Sequence, residues 1–206
     1  ALIDLLQQLC AIPGISGREE QVRRFIQDRL PVGCEVKVDP LGNLLVYKKG
    51  KRTPKNKILL TAHMDEVGLI VTGITEDGWL KFSTVGGIDP QVLAGRSVLV
   101  GADLPGIIGS KAVHLQTKEQ KEQPVTMEEL TIDIGAANRD EANAAVHLGD
   151  PVCFDSVYTR FGDHKIKGRA IDDRVGCAML LTLLQQELDF DLYAAFTVQE
   201  EVGLRG

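Results

Sequence analysis

Residues 57–66 read KILLTAHMDE, a short run that is apolar after its lysine and ends directly in a histidine and two carboxylates. Residues 192–201, LYAAFTVQEE, have the same arrangement, since an apolar run leads straight into two glutamates. A run of this length and composition is typical of a central strand that is covered on both faces of its sheet. The two segments therefore predict strands of an α/β sheet, each with polar side chains at its carboxyl end.

The chain before these strands predicts two helices. Residues 1–11 have the apolar spacing of an amphipathic helix, which Pro13 and Gly14 end. Ser16, with Glu19 three residues later, has the spacing of a capping box. We therefore expect a second helix to begin at this pair of side chains.

The middle of the chain has a different character from its two ends. Residues 67–165 show short strand patterns and many glycines, with one helical pattern at residues 139–148. From residue 166 the α/β pattern resumes. The sequence thus predicts an α/β domain, formed by residues 1–66 and 166–206, that is interrupted by a β-rich insertion.

The composition disfavours several classes of partner. The chain has 206 residues and a formal net charge of −6, whereas nucleic acids and anionic membranes attract cationic surfaces. No stretch reaches the roughly 18 apolar residues of a membrane span, and the N terminus lacks the basic region of a secretory signal. The four scattered cysteines predict free thiols in a reducing compartment. We expect a cytoplasmic protein that binds neither nucleic acid nor membrane.

Three polar clusters stand at the ends of the predicted elements. Residues 63–66 (HMDE) and residues 200–201 (EE) follow the two strands, and residues 172–174 (DDR) begin a helix. Ligands of open α/β sheets bind beyond the carboxyl ends of the strands. One imidazole with several carboxylates suits zinc, cobalt or manganese. The clusters therefore predict a candidate metal site.

Each cluster also has an explanation that needs no metal. His63 is compatible with a hydrogen-bonded loop residue, Asp172 and Asp173 with a helix cap, and the glutamates with a solvated strand end. Against this, the adjacent carboxylates of Glu200 and Glu201 repel each other unless a cation lies nearby. The residue pattern alone leaves both interpretations open.

Three longer strings add a family resemblance. TAHMDEVG (61–68), KGRAIDDRVG (167–176) and TVQEEVGLRG (197–206) resemble the M42 family of metallo-aminopeptidases, which includes glutamyl and tetrahedral TET aminopeptidases. IPGISGREE, VDPLGNLLV and GIIGSKAVHL, elsewhere in the chain, resemble it as well. The resemblance implies a mixed-sheet metallopeptidase domain with helices on both faces, interrupted by a smaller β-rich, barrel-like domain.

The resemblance also implies a role for each of five residues. His63 would bind one of two divalent ions, zinc or cobalt, and Asp65 would orient its imidazole. Asp172 would bridge the two ions, and Glu201 would bind the second. Glu200 would be the general base.

The ligand count departs from the family pattern. With Asp172 shared, each ion has two protein ligands, whereas a catalytic zinc usually has three. The family has a further aspartate and a further histidine beyond the QEEVGLRG string, and we expect them in a missing C-terminal part rather than among His114, His147 and His164. Residues 1–206 alone are then expected to be inactive or nearly so.

The function implied by the resemblance is the hydrolysis of N-terminal residues from peptides by a metal-activated water. The family also implies a homo-oligomer, because its members form dimers and dodecamers. Two alternatives stay open. One is an endoglucanase-type glycoside hydrolase, a label sometimes given to the family, and the other is a non-catalytic scaffold fragment with an incomplete site.

Overall fold

The computed structural model describes residues 2–101, 103–110, 118 and 123–206. The chain divides into a first unit, Ala1–Glu66 with Val157–Gly206, and a second unit, Val67–Ser156. The sequence places the second boundary near residue 166. In the structure, the hairpin of residues 159–167 belongs to the first unit.

The predicted helices near the N terminus and at residues 139–148 are confirmed, although the last one ends at Ala145. Within the described residues the α-helices are α1 (Leu2–Ala11), α2 (Glu20–Gln27), α3 (Arg139–Ala145) and α4 (Ile171–Leu184). The strands are β1 (Glu35–Val38), β2 (Leu44–Lys48), β3 (Leu59–His63), β4 (Gly68–Ile74), β5 (Leu80–Val85), β6 (Ser97–Val100), β7 (Leu104–Ser110), β8 (Leu130–Asp133), β9 (Pro151–Phe154), β10 (Thr159–Phe161), β11 (Lys165–Lys167) and β12 (Leu192–Thr197). Among these described helices, none combines the length and apolar composition that a membrane span needs.

The main sheet of the first unit has the strand order β1–β2–β12–β3. β12 is antiparallel to β2 and parallel to β3, so the sheet is mixed. Because β3 and β12 run in the same direction, their carboxyl ends meet, and His63 is the register partner of Thr197. The expected α/β class with a mixed sheet is confirmed, and this pairing positions the candidate site.

One face of this sheet is packed against helices α1, α2 and α4. The buried side chains that form this core include Leu6, Leu9, Val22, Ile26, Val46, Ala194, Phe196, Cys177 and Leu181. Burying a large aliphatic or aromatic side chain contributes about 1.5–3 kcal/mol. The core therefore holds α4, and with it Asp172, against the sheet that carries the two strand ends.

The opposite face of the sheet is open in the part of the chain that the structure describes. Leu59 of β3 and Leu45 of β2 are 59% and 38% exposed on this face, and the rings of Tyr47 and Tyr193, which lie on the same face, are 4.9 Å apart. KILLTA is expected to be a central strand covered on both faces, but within the described residues β3 pairs only with β12 and Leu59 stays exposed. An apolar run indicates that a strand can be buried but does not say which neighbours bury it.

The second unit is a closed barrel with the strand order β4–β5–β8–β7–β6–β9. All six strands contribute aliphatic side chains to its interior, and the buried residues include Leu69, Leu80, Val98, Ile108, Ile132 and Val152. α3 contacts β4 within the same unit. The β-rich, barrel-like insertion expected from the sequence is confirmed.

The capping box expected at Ser16 and Glu19 is wrong. α2 begins at Glu20, and its N-cap Glu19 makes no side-chain cap hydrogen bond. The Ser16 hydroxyl donates instead to Oδ2 of Asp65, and Oε1 of Glu19 accepts the backbone N–H of Gln199. Both side chains therefore bind the segments that follow β3 and β12.

Candidate metal centre

The two parallel strand ends bring the predicted clusters together. β3 ends at His63 and β12 at Thr197, so the segments that follow them leave the same edge of the sheet. His63, Glu200 and Glu201 each offer a ligand atom, and these atoms all lie within 4.8 Å of one another. Among the described residues, these three side chains form a group that is close enough together to hold a metal ion.

Asp65 holds the two glutamates in place. Its Oδ1 accepts the backbone N–H of Glu200 at 3.0 Å, and its Oδ2 accepts that of Glu201 at 3.1 Å. The side chain of Asp65 is fully buried. A buried carboxylate that accepts several hydrogen bonds is fixed in one orientation, so the backbone of residues 200 and 201 is fixed relative to the end of β3.

The imidazole of His63 is turned so that Nε2 faces the carboxylates. Nδ1 lies 3.2 Å from the carbonyl oxygen of Asp65 and 3.4 Å from its Oδ1. Nε2 lies 3.1 Å from Oδ1 of Asp172 and 3.8 Å from Oε2 of Glu200. A metal-ligating histidine usually donates its other ring N–H to a carboxylate or a carbonyl oxygen. The contacts of Nδ1 have this arrangement.

The two aspartates at the start of α4 have different surroundings. Neither has helical backbone angles. Oδ1 of Asp173 accepts the backbone N–H of Gly176 at 3.0 Å, which caps the first regular turn of the helix. Asp172 instead lies against His63, with its side chain largely exposed. The explanation as a helix cap therefore fits Asp173, whereas Oδ1 of Asp172 faces Nε2 of His63.

The electrostatics of the cluster favour a bound cation. Burial opposes the charged form of His63, but the hydrogen bond and charge of Asp65, with Glu200 and Asp172, raise its pKa to about 9. Burial likewise opposes ionisation of Asp65. The hydrogen bonds that Asp65 accepts from His63, from Ser16 and from the backbone of Glu200 and Glu201 nevertheless lower the pKa of Asp65 to about 2. Burial and the neighbouring carboxylates raise the pKa of Glu201. Four carboxylates around one imidazole leave an excess of negative charge, and this donor set suits zinc or cobalt.

The remaining histidines do not join this group within the described residues. Nδ1 of His147 lies 3.9 Å from Oδ2 of Asp150 in the second unit. His164 is exposed in the turn between β10 and β11, where its Nε2 lies 3.3 Å from Asp163. His114 lies outside the described residues. The structure therefore gives no support to His147 or His164 as replacement ligands.

Two residues, Ser16 and Arg174, make contacts at the site that the sequence pattern did not predict. Ser16 binds Asp65, as described above, and the guanidinium of Arg174 donates to the carbonyl oxygen of Met64, between His63 and Asp65, at 2.6 Å. Both lie in strings that resemble the family, IPGISGREE and KGRAIDDRVG. The local spacing of Ser16 indicated a helix cap, and nothing in the spacing of Arg174 indicated a contact 110 residues away.

Comparison with known proteins adds independent information. Residues 42–206 match the family model described as M42 glutamyl aminopeptidase. The Escherichia coli (strain K12) protein FrvX is 41% identical over 212 residues, which cover 99% of this chain and 59% of FrvX. A Pyrococcus horikoshii TET1 peptidase, which can assemble into a tetrahedron or a large octahedral shell, has a TM-score of 0.87 at 39% identity over 100% of this chain and 63% of its own.

A structure named Endoglucanase from Thermotoga maritima is also similar, with a TM-score of 0.79 at 38% identity over 94% of this chain and 58% of its own. The chain spans about 60% of the length of the curated relatives it matches. The family model, however, covers most of the chain, including the histidine, aspartate and glutamate strings at the sheet edge. The chain therefore belongs to the M42 glutamyl aminopeptidase family.

Proposed function

We propose that the complete polypeptide carrying this sequence is a metal-dependent aminopeptidase, which removes N-terminal residues from peptides. The observation that carries the proposal is the convergence of His63, Glu200 and Glu201 within 4.8 Å, with Asp172 beside them. The description of the family as glutamyl aminopeptidases and the similarity to a TET1 peptidase support peptides as the substrate class.

The proposed cofactor is a pair of divalent ions, zinc or cobalt. His63 would hold one ion and Glu201 the other, and Asp172 would bridge them. Asp65 would keep the imidazole of His63 oriented through Nδ1. Bound ions would supply Lewis acidity, which lowers the pKa of a water molecule and polarises the carbonyl group of the substrate.

Glu200 is the proposed general base. It would accept a proton from the attacking water and return it to the leaving amine. Its backbone is held by Oδ1 of Asp65, and its Oε2 lies 3.8 Å from Nε2 of His63. In this assignment Glu201, whose backbone N–H is held by Oδ2 of Asp65, would bind an ion, while the carboxylate of Glu200 would stay available for protons.

The ligand set of the described residues leaves each of two ions with two protein ligands, one fewer than a catalytic zinc usually has. We propose that the complete polypeptide supplies further ligands from outside residues 1–206. Residues 1–206 alone would then bind zinc weakly and turn over little substrate.

The proposed setting is a homo-oligomer in the cytoplasm. The TET1 peptidase of Pyrococcus horikoshii can assemble into a tetrahedron or a large octahedral shell, and this supports the proposal that the present protein self-associates as well. None of the four cysteines of this chain is in a disulfide bond, and three of them are buried. Buried cysteines that are kept as thiols are typical of a reducing compartment.

The endoglucanase alternative is less well supported by the geometry. A glycosidase uses two carboxyl groups that flank the scissile bond, about 5–9.5 Å apart, and needs no imidazole between them. Here the carboxylates of Asp172 and Glu200 both face Nε2 of His63. This arrangement is typical of a metal site rather than of an acid–base pair around a sugar.

The proposal predicts chelator-sensitive hydrolysis of aminoacyl p-nitroanilides. The complete polypeptide is stripped with EDTA, reloaded with Zn²⁺ or Co²⁺, and assayed on leucyl, glutamyl and lysyl p-nitroanilides. We expect turnover in the usual enzyme range of about 1–10³ s⁻¹ with metal, little turnover without it, and little with residues 1–206 alone.

Two controls decide the substrate class. An N-acetylated leucyl p-nitroanilide lacks the free α-amino group that an aminopeptidase binds, so it should resist hydrolysis. Carboxymethyl-cellulose should not be cleaved. Cleavage of cellulose, or peptide hydrolysis that EDTA leaves unchanged, would contradict the proposed function.

A further inference from the structure

We propose that Ser16 is a positioning residue for the metal centre and that it acts through Asp65. This inference rests on the proposed function, because it assigns a role to Ser16 in organising the ligands of that same site. The sequence pattern had assigned Ser16 to a helix cap, but its hydroxyl group is directed to the end of β3 instead.

The hydroxyl of Ser16 makes a short hydrogen bond to Asp65. Its Oγ lies 2.6 Å from Oδ2, compared with 3.0 and 3.1 Å for the backbone donors of Glu200 and Glu201. Those two donors come from the segment after β12. Ser16 comes from the loop between α1 and α2, so its hydroxyl ties the carboxylate of Asp65 to a third part of the fold.

The backbone delivers Ser16 to this position. Ile15 forms a parallel bridge with Glu66, and the N–H of Glu66 donates to the carbonyl oxygen of Gly14 at 3.0 Å. The N–H of Gly14 in turn donates to Oε1 of Glu66 at 3.0 Å. Ile15 is buried. Ser16, the residue after Ile15, is therefore fixed beside Asp65 by backbone contacts that do not involve the side chain of Ser16.

The far end of the same loop is tied to the glutamate segment. Oε1 of the buried Glu19 accepts the backbone N–H of Gly17 at 2.7 Å and that of Gln199 at 3.0 Å. Gln199 has a φ of 54°, in the left-handed region that is unfavourable for a residue with a side chain. Glu19 therefore stabilises the turn that directs the N–H groups of Glu200 and Glu201 towards Asp65.

Loss of the Ser16 hydroxyl should loosen the carboxylate on which the ligands depend. Asp65 contacts Nδ1 of His63 and both glutamate N–H groups, so its rotation would move the imidazole and the two carboxylates together. Groups that hold metal ligands in place change metal affinity or activity by about 10–100-fold when they are removed. For Ser16, one contact further from the ion, we expect about tenfold.

The test compares Ser16→Ala with a matched control in the complete polypeptide. Thr53 lies in the same unit, and its Oγ1 donates to Oδ2 of Asp191 at 2.8 Å. That carboxylate also accepts a backbone N–H, from Gly50. Thr53→Val thus removes a hydroxyl that donates to an aspartate, as Ser16→Ala does, but the aspartate in this case does not contact the proposed metal ligands. Ser16→Thr restores the hydroxyl at position 16.

Three quantities are measured for each variant: the zinc dissociation constant of the metal-free protein, kcat and KM, and the thermal midpoint. We expect Ser16→Ala to weaken zinc affinity about tenfold and to lower kcat more than it changes KM. Thr53→Val should keep the wild-type zinc affinity and kcat, and Ser16→Thr should recover most of the zinc affinity that Ser16→Ala loses.

Equal zinc affinities for Ser16→Ala and Thr53→Val would overturn the role of Ser16, as would a Ser16→Thr variant no better than Ser16→Ala. Failure of the proposed function looks different. In that case the wild-type polypeptide itself would bind no zinc or hydrolyse no aminoacyl substrate, whatever residue stands at position 16.

Discussion

Glu200→Gln in the complete polypeptide is expected to lower kcat by about 10²–10⁴-fold, the range for removal of a general base. Zinc should stay bound, because the proposed ligands His63, Asp172 and Glu201 are unchanged. The glutamine keeps the backbone N–H that Asp65 accepts, so the geometry of the segment is preserved. Steady-state kinetics and a zinc titration of the same preparation measure the two effects separately.

Glu201→Gln is the matched control at the neighbouring position. It makes the same chemical change at a residue whose backbone N–H is likewise held by Asp65. Unlike Glu200→Gln, it removes the charge of a proposed ligand. We expect it to weaken zinc binding as well as to lower kcat. Equal loss of zinc in the two variants would show that the roles of base and ligand are assigned wrongly.

Arg174→Met is expected to lower the free energy of unfolding by about 3–5 kcal/mol, because hydrogen bonds from a buried charged donor are lost and each contributes about 1.5–3 kcal/mol. The buried guanidinium donates to the carbonyl oxygens of Met64, Leu9 and Ile12 at 2.6, 2.7 and 3.1 Å. It also lies 3.9 Å from Oε1 of the buried Glu66. Methionine has a similar length but supplies neither the charge nor the donors.

Denaturant unfolding of the metal-free protein measures this effect without the contribution of bound metal. Arg160→Met is the control, because Arg160 pairs with Asp4 at 3.2 Å between two exposed side chains. Exposed pairs contribute about 0–1 kcal/mol. A loss for Arg174→Met as small as that for Arg160→Met would contradict the structural role of the buried guanidinium.

The position of the site was predictable because it follows from strand direction. Residues 63–66 and 200–201 each come directly after an apolar run, and parallel strands place such segments at one edge of a sheet. The spacing of the residues identified Asp172 only as one member of a pair, and the resemblance to the M42 family is what singled it out. Spacing alone could not say that Asp173 would cap α4 while Asp172 would face His63, since both are aspartates at the start of one helix.

The contacts that stabilise the site were not predictable from local spacing. Ser16 and Glu19 have the spacing of a capping box, but Ser16 binds Asp65, 49 residues away, and Glu19 binds Gln199, 180 residues away. Local spacing also could not predict which elements pack against β3. Its apolar run is compatible with burial on both faces, whereas Leu59 is exposed in the described structure.

The most direct test of the central claim is to locate the bound ions in crystals of the zinc-loaded complete polypeptide by anomalous diffraction at the zinc edge. The account predicts anomalous peaks about 2.0–2.2 Å from Nε2 of His63 and from carboxylate oxygens of Asp172 and Glu201, the usual lengths of bonds from zinc to nitrogen and oxygen. Zinc bound at other residues, with no peak at Nε2 of His63, would contradict it.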